Sequence, residues 1–297
     1  MTTTDTDAAI AARTLTPPPP MLAPPDPGGV PGEPPRQPSR LRDRLTACAF
    51  GLLGVAVFVA LWELVSARNS DVPGPLDAWE QLRMLLGDGF VSDSPNGKGI
   101  LLRLGTSLGL TLKGFGFAAA VGIPLGLLAG ANRRAWQAVT PLVQILKPVS
   151  PLAWFPIGLV AFKDAPKASV FVIFVTALWP IVLNTAVGAA SVPVDQRNVA
   201  RVFRFGRTAY VKQVVVPHTV PSIITGLRLS MGIAWMVVVA VEMLSGNAGI
   251  GNFVWESYNG GNLAAVMAAI VVIGVVGVVL DCLFVYAGRR YTGETQR

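Results

Sequence analysis

Charge is what this sequence has least of. Aspartate, glutamate, lysine and arginine make up 14% of its 297 residues, against about a quarter in a soluble domain. With 52% hydrophobic residues and a mean hydropathy of +0.54, too little polar surface exists to clothe a water-soluble fold. A bilayer is the solvent that fits. Cysteine is nearly absent: Cys48 and Cys282 both lie in apolar runs and read as small buried hydrophobes, which excludes a disulfide framework or a thiolate metal site. The single histidine, His218, is too little for a conventional metal centre or triad. No Ser/His/Asp or Cys/His set is visible, so no catalytic residue, metal or bound cofactor is assigned and an enzyme is excluded. A phosphate-cradling Gly-x4-Gly-Lys-Ser/Thr loop is missing as well, so ATP must be handled elsewhere. The net charge of +7 and a pI near 9.8 could suggest nucleic acid. The basic residues, however, stand in short clusters between apolar runs, a membrane-orientation signal and not a DNA-reading face.

What is present falls into zones. Residues 1–40 hold eleven of the 24 prolines, including Pro17–Pro20. With almost no large apolar residues, they predict a disordered tail leaning to polyproline II. A crossing needs about 20 apolar residues, and six runs qualify: 45–67, 101–129, 137–162, 168–189, 219–244 and 263–286. The expected class is therefore an all-α polytopic membrane protein. A first span and an outer segment occupy 41–100, a transmembrane domain 101–286, and a C-terminal tail 287–297. Gly122, Gly126 and Gly130 recur at four-residue spacing, as do Gly105 and Gly109, the pattern of close helix packing in lipid. Between spans one and two, Leu76–Leu86 alternates apolar and charged residues at helical spacing. It predicts a short interfacial helix with Trp79 at headgroup level. With the N-terminus inside, fourteen lysines and arginines fall in the inner segments and five in the outer ones. This positive-inside bias places both termini and the loop 190–217 in the cytoplasm.

That loop is the most informative stretch. Asp195 suits an N-cap and Gly206 a C′ position, delimiting a helix of about three turns. Arg197, Arg201 and Arg204 fall on one face, and Val199, Val202 and Phe203 on another. A second short helix is expected from Thr208 to just before Pro217. Such a hairpin suits docking into a partner's groove, and the pattern alone suits equally an interfacial helix whose arginines touch anionic lipid. Within the spans, Lys147 and Glu242 are the main charged candidates. Lys147 either attracts a small anion, pairs with Glu242, or bonds carbonyls freed by Pro148 and Pro151. Trp154 and Asn184 either line a path or pack. Arg228 is expected toward the cytoplasmic side, snorkelling or capping. Arg103, Lys113, Glu63 and Asp281, near span ends, receive no role.

The loop and the span after it resemble the EAA loop of ABC importer permeases, with pattern Glu-Ala-Ala-x3-Gly-x9-Ile-x-Leu-Pro. Aligned on Pro217, its first positions fall on Asn198, Val199 and Ala200. The family glycine falls on Arg204, which predicts a turn displaced to Gly206. Pro221–Trp235 with Val241–Leu244 is similar to the fifth span of sulfonate, taurine and nitrate permeases. Lys147–Pro156 resembles the third span of nitrate, nitrite and bicarbonate members, and Trp179–Thr185 and Gly249–Trp255 add to the likeness. The resemblance implies a type I ABC importer permease fold with about six spans, a second permease copy or paralogue, ABC ATPase subunits using ATP and Mg, and an extracytoplasmic substrate-binding protein. Nucleic acid has no place in such a system. Asn198, Val199, Ala200, Arg201, Phe203, Arg204, Gly206 and Pro217 would then couple to the ATPase, and Lys147, Trp154, Asn184 and Glu242 would line the pathway. Nitrate or nitrite is the expected cargo, with taurine or alkanesulfonate and bicarbonate or cyanate as alternatives. A stand-alone secondary transporter would leave the hairpin without a task.

Overall fold

The computed structural model describes residues 40–69, 71–87 and 99–295. The proline-rich tail expected over 1–40 lies outside them apart from Arg40. All regular structure among the described residues is helical. In chain order it comprises α1 Arg40–Arg68, α2 Pro75–Gly87, α3 Ile100–Ala131, α4 Arg133–Leu146, a 3₁₀ turn Pro151–Ala153, α5 Trp154–Phe162, α6 Ala165–Ala190, α7 Val194–Val202, α8 Arg207–Tyr210, a π segment Val211–Val215, α9 Val216–Ser245, α10 Ile250–Asn259 and α11 Leu263–Thr295. The chain divides into two units, Met1–Val57 and Phe58–Arg297. In the first, residues 40–57 are helical, and the side chains described there lie at the surface.

Among the described residues, five helical stretches are long and apolar enough to cross a membrane: Ala49–Arg68, Ile100–Ala131, Ala165–Ala190, Thr208–Ser245 and Leu263–Arg290. The sixth expected span differs. Instead of one run over 137–162, α4 and the 3₁₀–α5 piece meet at 89°. Pro148 and Pro151 lack the N–H groups a continuing helix needs, and their rings clash with the preceding turn. Through most of the expected C-terminal tail at 287–297, α11 stays helical, to Thr295.

α6 is the spine. Along it, Gly114, Gly122, Gly126 and Gly130 of α3 meet Ile173, Ile181, Thr185 and Ala189 in turn, a constant offset that shows the two helices running parallel and in step. Gly114 joins the expected glycine row, while Gly105 and Gly109 face open space. α9 packs antiparallel on α6: Gly188 meets Ser222, Gly226 meets Pro180, and Ser230 Oγ donates to the Ala177 carbonyl at 2.7 Å. α11 runs antiparallel to α9, with Trp235 Nε1 donating to the Ile273 carbonyl at 3.0 Å. The core forms where Ile173, Ile181 and Val182 of α6 meet Val238 and Val241 of α9, with Ile250 of α10 closing one end. α2 occupies the expected residues. Ala78 and Leu82 are buried, Trp79 is exposed, and the helix lies against α11.

A β-carbon at position 126 would stand 2.5 Å from Thr185 Cβ and 2.8 Å from the Val182 carbonyl oxygen. Gly126→Ala is therefore expected to destabilise the protein by about 1–3 kcal/mol through overpacking. Gly109→Ala, with nothing nearby, should stabilise by up to about 1 kcal/mol through helix propensity. Thermal unfolding of the detergent-purified chain distinguishes the two signs.

Candidate functional site: the hairpin and the polar groups of the spans

At one end of the bundle the chain leaves α6 and forms the expected hairpin. Its first helix, α7, begins after Pro193, with Asp195 in the first turn and not at the cap. It ends in a Schellman motif. The Phe205 N–H bonds the Ala200 carbonyl at 2.9 Å, the Arg204 N–H bonds the Arg201 carbonyl at 3.0 Å, and Arg204 takes φ +50°. The left-handed turn therefore stands at Arg204, not at Gly206, whose φ is not positive. The second helix also departs from expectation. It does not stop before Pro217 but widens into the π segment and continues as α9. Pro217 has no N–H to give, and the wider turn, in which Val216 N–H reaches the Val211 carbonyl, takes up the misfit.

The hairpin is fastened to the spans. Arg197 Nη2 donates to the Ala190 carbonyl at 2.9 Å, capping the end of α6. Ser191 Oγ lies 3.2 Å from His218 Nε2. Ala189, Val192 and Val215 form a small core between α6 and α9. Ala200 is turned inward and buried, whereas Val199, Val202 and Phe203 are 53%, 78% and 70% exposed. Arg197, Arg201 and Arg204 line one cleft of about 510 Å³ with Phe205 and Tyr210. Asn198, Gly206 and Pro217 are exposed as well. The hairpin thus presents an apolar knob beside a basic cleft.

The four polar residues singled out within the spans do not converge. Lys147 lies exposed at the break between α4 and α5. Trp154 is half-buried at the start of α5, edge-on to Phe171 at 6.5 Å. Asn184 Nδ2 donates to the Pro180 carbonyl at 2.8 Å, one turn back on the same helix, so its amide is turned onto α6 itself. Glu242 is fully buried near the other end of α9. Its Oε2 accepts from Ser107 Oγ at 2.8 Å and Gly251 N–H at 3.0 Å, while Ser107 Oγ accepts from Ile250 N–H at 2.9 Å. The pairing of Lys147 with Glu242 is therefore not made, and Glu242 is fully buried in the single chain. Its carboxyl instead caps the N-terminus of α10, a position where backbone N–H groups and the helix dipole favour an acceptor. Gly249 and Gly251 allow this approach, since a β-carbon on either would run into the Glu242 carboxylate or the Val239 carbonyl.

Two polar pairs were not read from the sequence. Arg103, fully buried in α3, bonds Glu256 of α10 at 2.9 Å and lies 5.5 Å over the Phe253 ring. Asn252 Nδ2 supports the same Glu256 at 2.7 Å. Arg228 of α9 makes a two-pronged bond to Asp281 of α11, Nε to Oδ1 at 2.5 Å and Nη2 to Oδ2 at 2.7 Å. It neither snorkels nor caps a loop. For this second pair the available signal was opposite charge in two apolar runs.

Crossing helices joined through a glycine seam, one span broken at prolines, and a hairpin projecting from one end define a multi-pass permease. The chain belongs to the binding-protein-dependent transport system inner membrane components, whose family model matches residues 122–293. It is 40% identical to a nitrate import permease protein of Synechocystis over 77% of this chain and 84% of that one. To the nitrate import permease protein of Leptolyngbya laminosa it is 39% identical over 85% and 88%. To a bicarbonate transport system permease protein of Synechococcus elongatus it is 39% identical over 81% and 88%. Among solved structures, an inward-facing MetNI methionine ABC transporter shares its fold, with a TM-score of 0.58 at 16% identity over 65% of this chain and 96% of that one. The fold is that of ABC importer permeases.

Two outcomes follow from this geometry. Arg204→Gly should stabilise the turn by about 1 kcal/mol, because glycine carries no β-carbon penalty in the left-handed region. Gly206→Ala should be neutral. Hydrogen exchange of the Phe205 amide reads both. At the other end, Glu242→Ala should cost about 1–3 kcal/mol by leaving the Ser107 hydroxyl and the Gly251 N–H without their acceptor. Glu242→Gln keeps an acceptor oxygen and should cost less, as measured by thermal unfolding in detergent.

Proposed function

We propose that this chain is the pathway-forming subunit of an ATP-driven importer for a small inorganic anion, nitrate first. The observation that carries this reading is the identity of 39–40% over most of the chain to proteins named as nitrate import permeases. Bicarbonate is the second reading, supported by relatives of 38–39% identity named as bicarbonate permeases. An importer of this kind needs a substrate-binding protein outside and ABC ATPase subunits inside that bind ATP and Mg. It also needs a second permease, a copy or a paralogue, to complete the pathway.

The hairpin is the ATPase-docking element in this reading. Val199, Val202 and Phe203 form the knob, Arg201 and Arg204 the basic rim beside it, and Asn198, Gly206 and Pro217 frame it. Ala200 contributes from inside, by allowing α7 to lie close against Phe205. The hairpin end is cytoplasmic, in keeping with the clustering of arginine at 197–207. Lys147, Trp154 and Asn184 line the pathway. Backbone at the 147–150 break is exposed in the single chain, and irregular backbone at membrane depth is tolerated only against protein or water, never lipid.

Three measurements test these points. Reconstituted with its ATPase and a nitrate-loaded binding protein, the complex should accumulate nitrate in vesicles and leave bicarbonate and taurine behind; uptake of either without nitrate overturns the assignment. Phe203→Glu should abolish solute-stimulated ATP hydrolysis while membrane insertion stays intact, because a carboxylate buried in a docking groove loses its hydration. In a background lacking Cys48 and Cys282, an impermeant thiol reagent applied to intact cells should label Asn259→Cys and spare Gly206→Cys. The reverse pattern inverts the topology.

A further inference from the structure

The Arg228–Asp281 pair lies in an unusual place. Ser230 bonds the Ala177 carbonyl and Gly226 packs on the Pro180 carbonyl, so Arg228 is level with residues 177–180, the middle of the 26-residue α6. That is the depth of the bilayer centre. Yet the pair is not buried: the two side chains are 46% and 47% exposed. An ion pair half open to hydrocarbon at this depth would be strongly disfavoured. No lipid phosphate reaches there, so the open side must meet water or protein. The guanidinium is also only partly used. Nε and Nη2 go to Asp281, and Nη1 has no hydrogen-bond partner among the described residues.

Those properties suit transit. Asp281 neutralises the arginine, so an anion meeting it is not held by a full unpaired charge, and conduction needs sites weak enough to leave. The guanidinium is planar and rigid, with donors in a fork that matches the oxygens of a planar oxyanion. Lysine would offer a point charge only. We propose that the Arg228–Asp281 pair is a mid-membrane station on the pathway, where the open side of the guanidinium takes a planar oxyanion in transit. This rests on the anion-import reading above and assigns it a contact residue. Asp281 is a positioning residue that fixes the fork and lowers its grip.

The test uses the whole importer in proteoliposomes, with Cys48→Ser and Cys282→Ser as background. The thiol of Arg228→Cys should react with 2-sulfonatoethyl methanethiosulfonate, a small water-borne anion, and saturating nitrate should slow that reaction. The double variant Arg228→Gln with Asp281→Asn keeps a neutral, hydrogen-bonded pair. It should retain ATP hydrolysis stimulated by the loaded binding protein while nitrate flux falls about tenfold, the loss expected of one charge-assisted hydrogen bond. Arg228→Lys, which keeps the ion pair and loses the planar fork, should also lower flux at normal ATP hydrolysis, and it carries the test if the double variant fails to assemble. An inert thiol at 228, meaning a face covered by protein, or wild-type flux in Arg228→Lys overturns the proposal. If the wild-type importer carries bicarbonate and not nitrate while bicarbonate protects the thiol, the station stands and only the nitrate assignment falls.

Discussion

At membrane depth no water is present to satisfy a polar group, and the irregular features of this chain answer to that constraint. Where Pro217 withholds an N–H, the helix widens by one residue and stays intact. Within α6 the Asn184 side-chain amide turns back onto its own helix and bonds the Pro180 carbonyl. The start of α10, whose first N–H groups have no partner within their own helix, is met by Glu242 and Ser107 from two other helices. At residues 147–150 and at Arg228, by contrast, polar groups remain open, and there the lone chain has an unfinished surface.

Close approach is the second condition. Helices in lipid gain little from hydrophobicity, so they must touch over a long distance. The row of small residues on α3 brings its backbone against Ile173, Ile181 and Thr185 of α6. That contact fixes α6 relative to α3, and through Gly188 and Gly226 it fixes α9 as well. The hairpin emerges from α6 and returns into α9, so its orientation is set by packing within the bilayer and not by its own short helices.

Much of this was legible. Apolar run length marked the spans, four-residue glycine spacing marked three of the four seam positions, and loop composition marked the hairpin. The failures share a cause. Pro148 and Pro151 indicated a disturbance of the third span, but whether a proline bends a span or breaks it depends on what its neighbours can donate. Arg204 occupies a glycine conformation because the Ala200 and Arg201 carbonyls need donors there, a requirement invisible in residue type. Arg103 with Glu256, and Arg228 with Asp281, are 153 and 53 residues apart. Both pairs depend on how helices are rotated about their axes, and rotation is decided by the seams.

Helical geometry runs without a full stop from Thr208 to Ser245, 38 residues, or about 57 Å of rod at the usual rise. At one end the rod is the second limb of the hairpin. At the other, Glu242 is stitched to α3 and to the first turn of α10. A push on the hairpin therefore has no loop in which to dissipate, and the π segment near the hairpin is a softened joint along its length. The molecule is built with a connecting rod whose two bearings lie on opposite faces of the membrane.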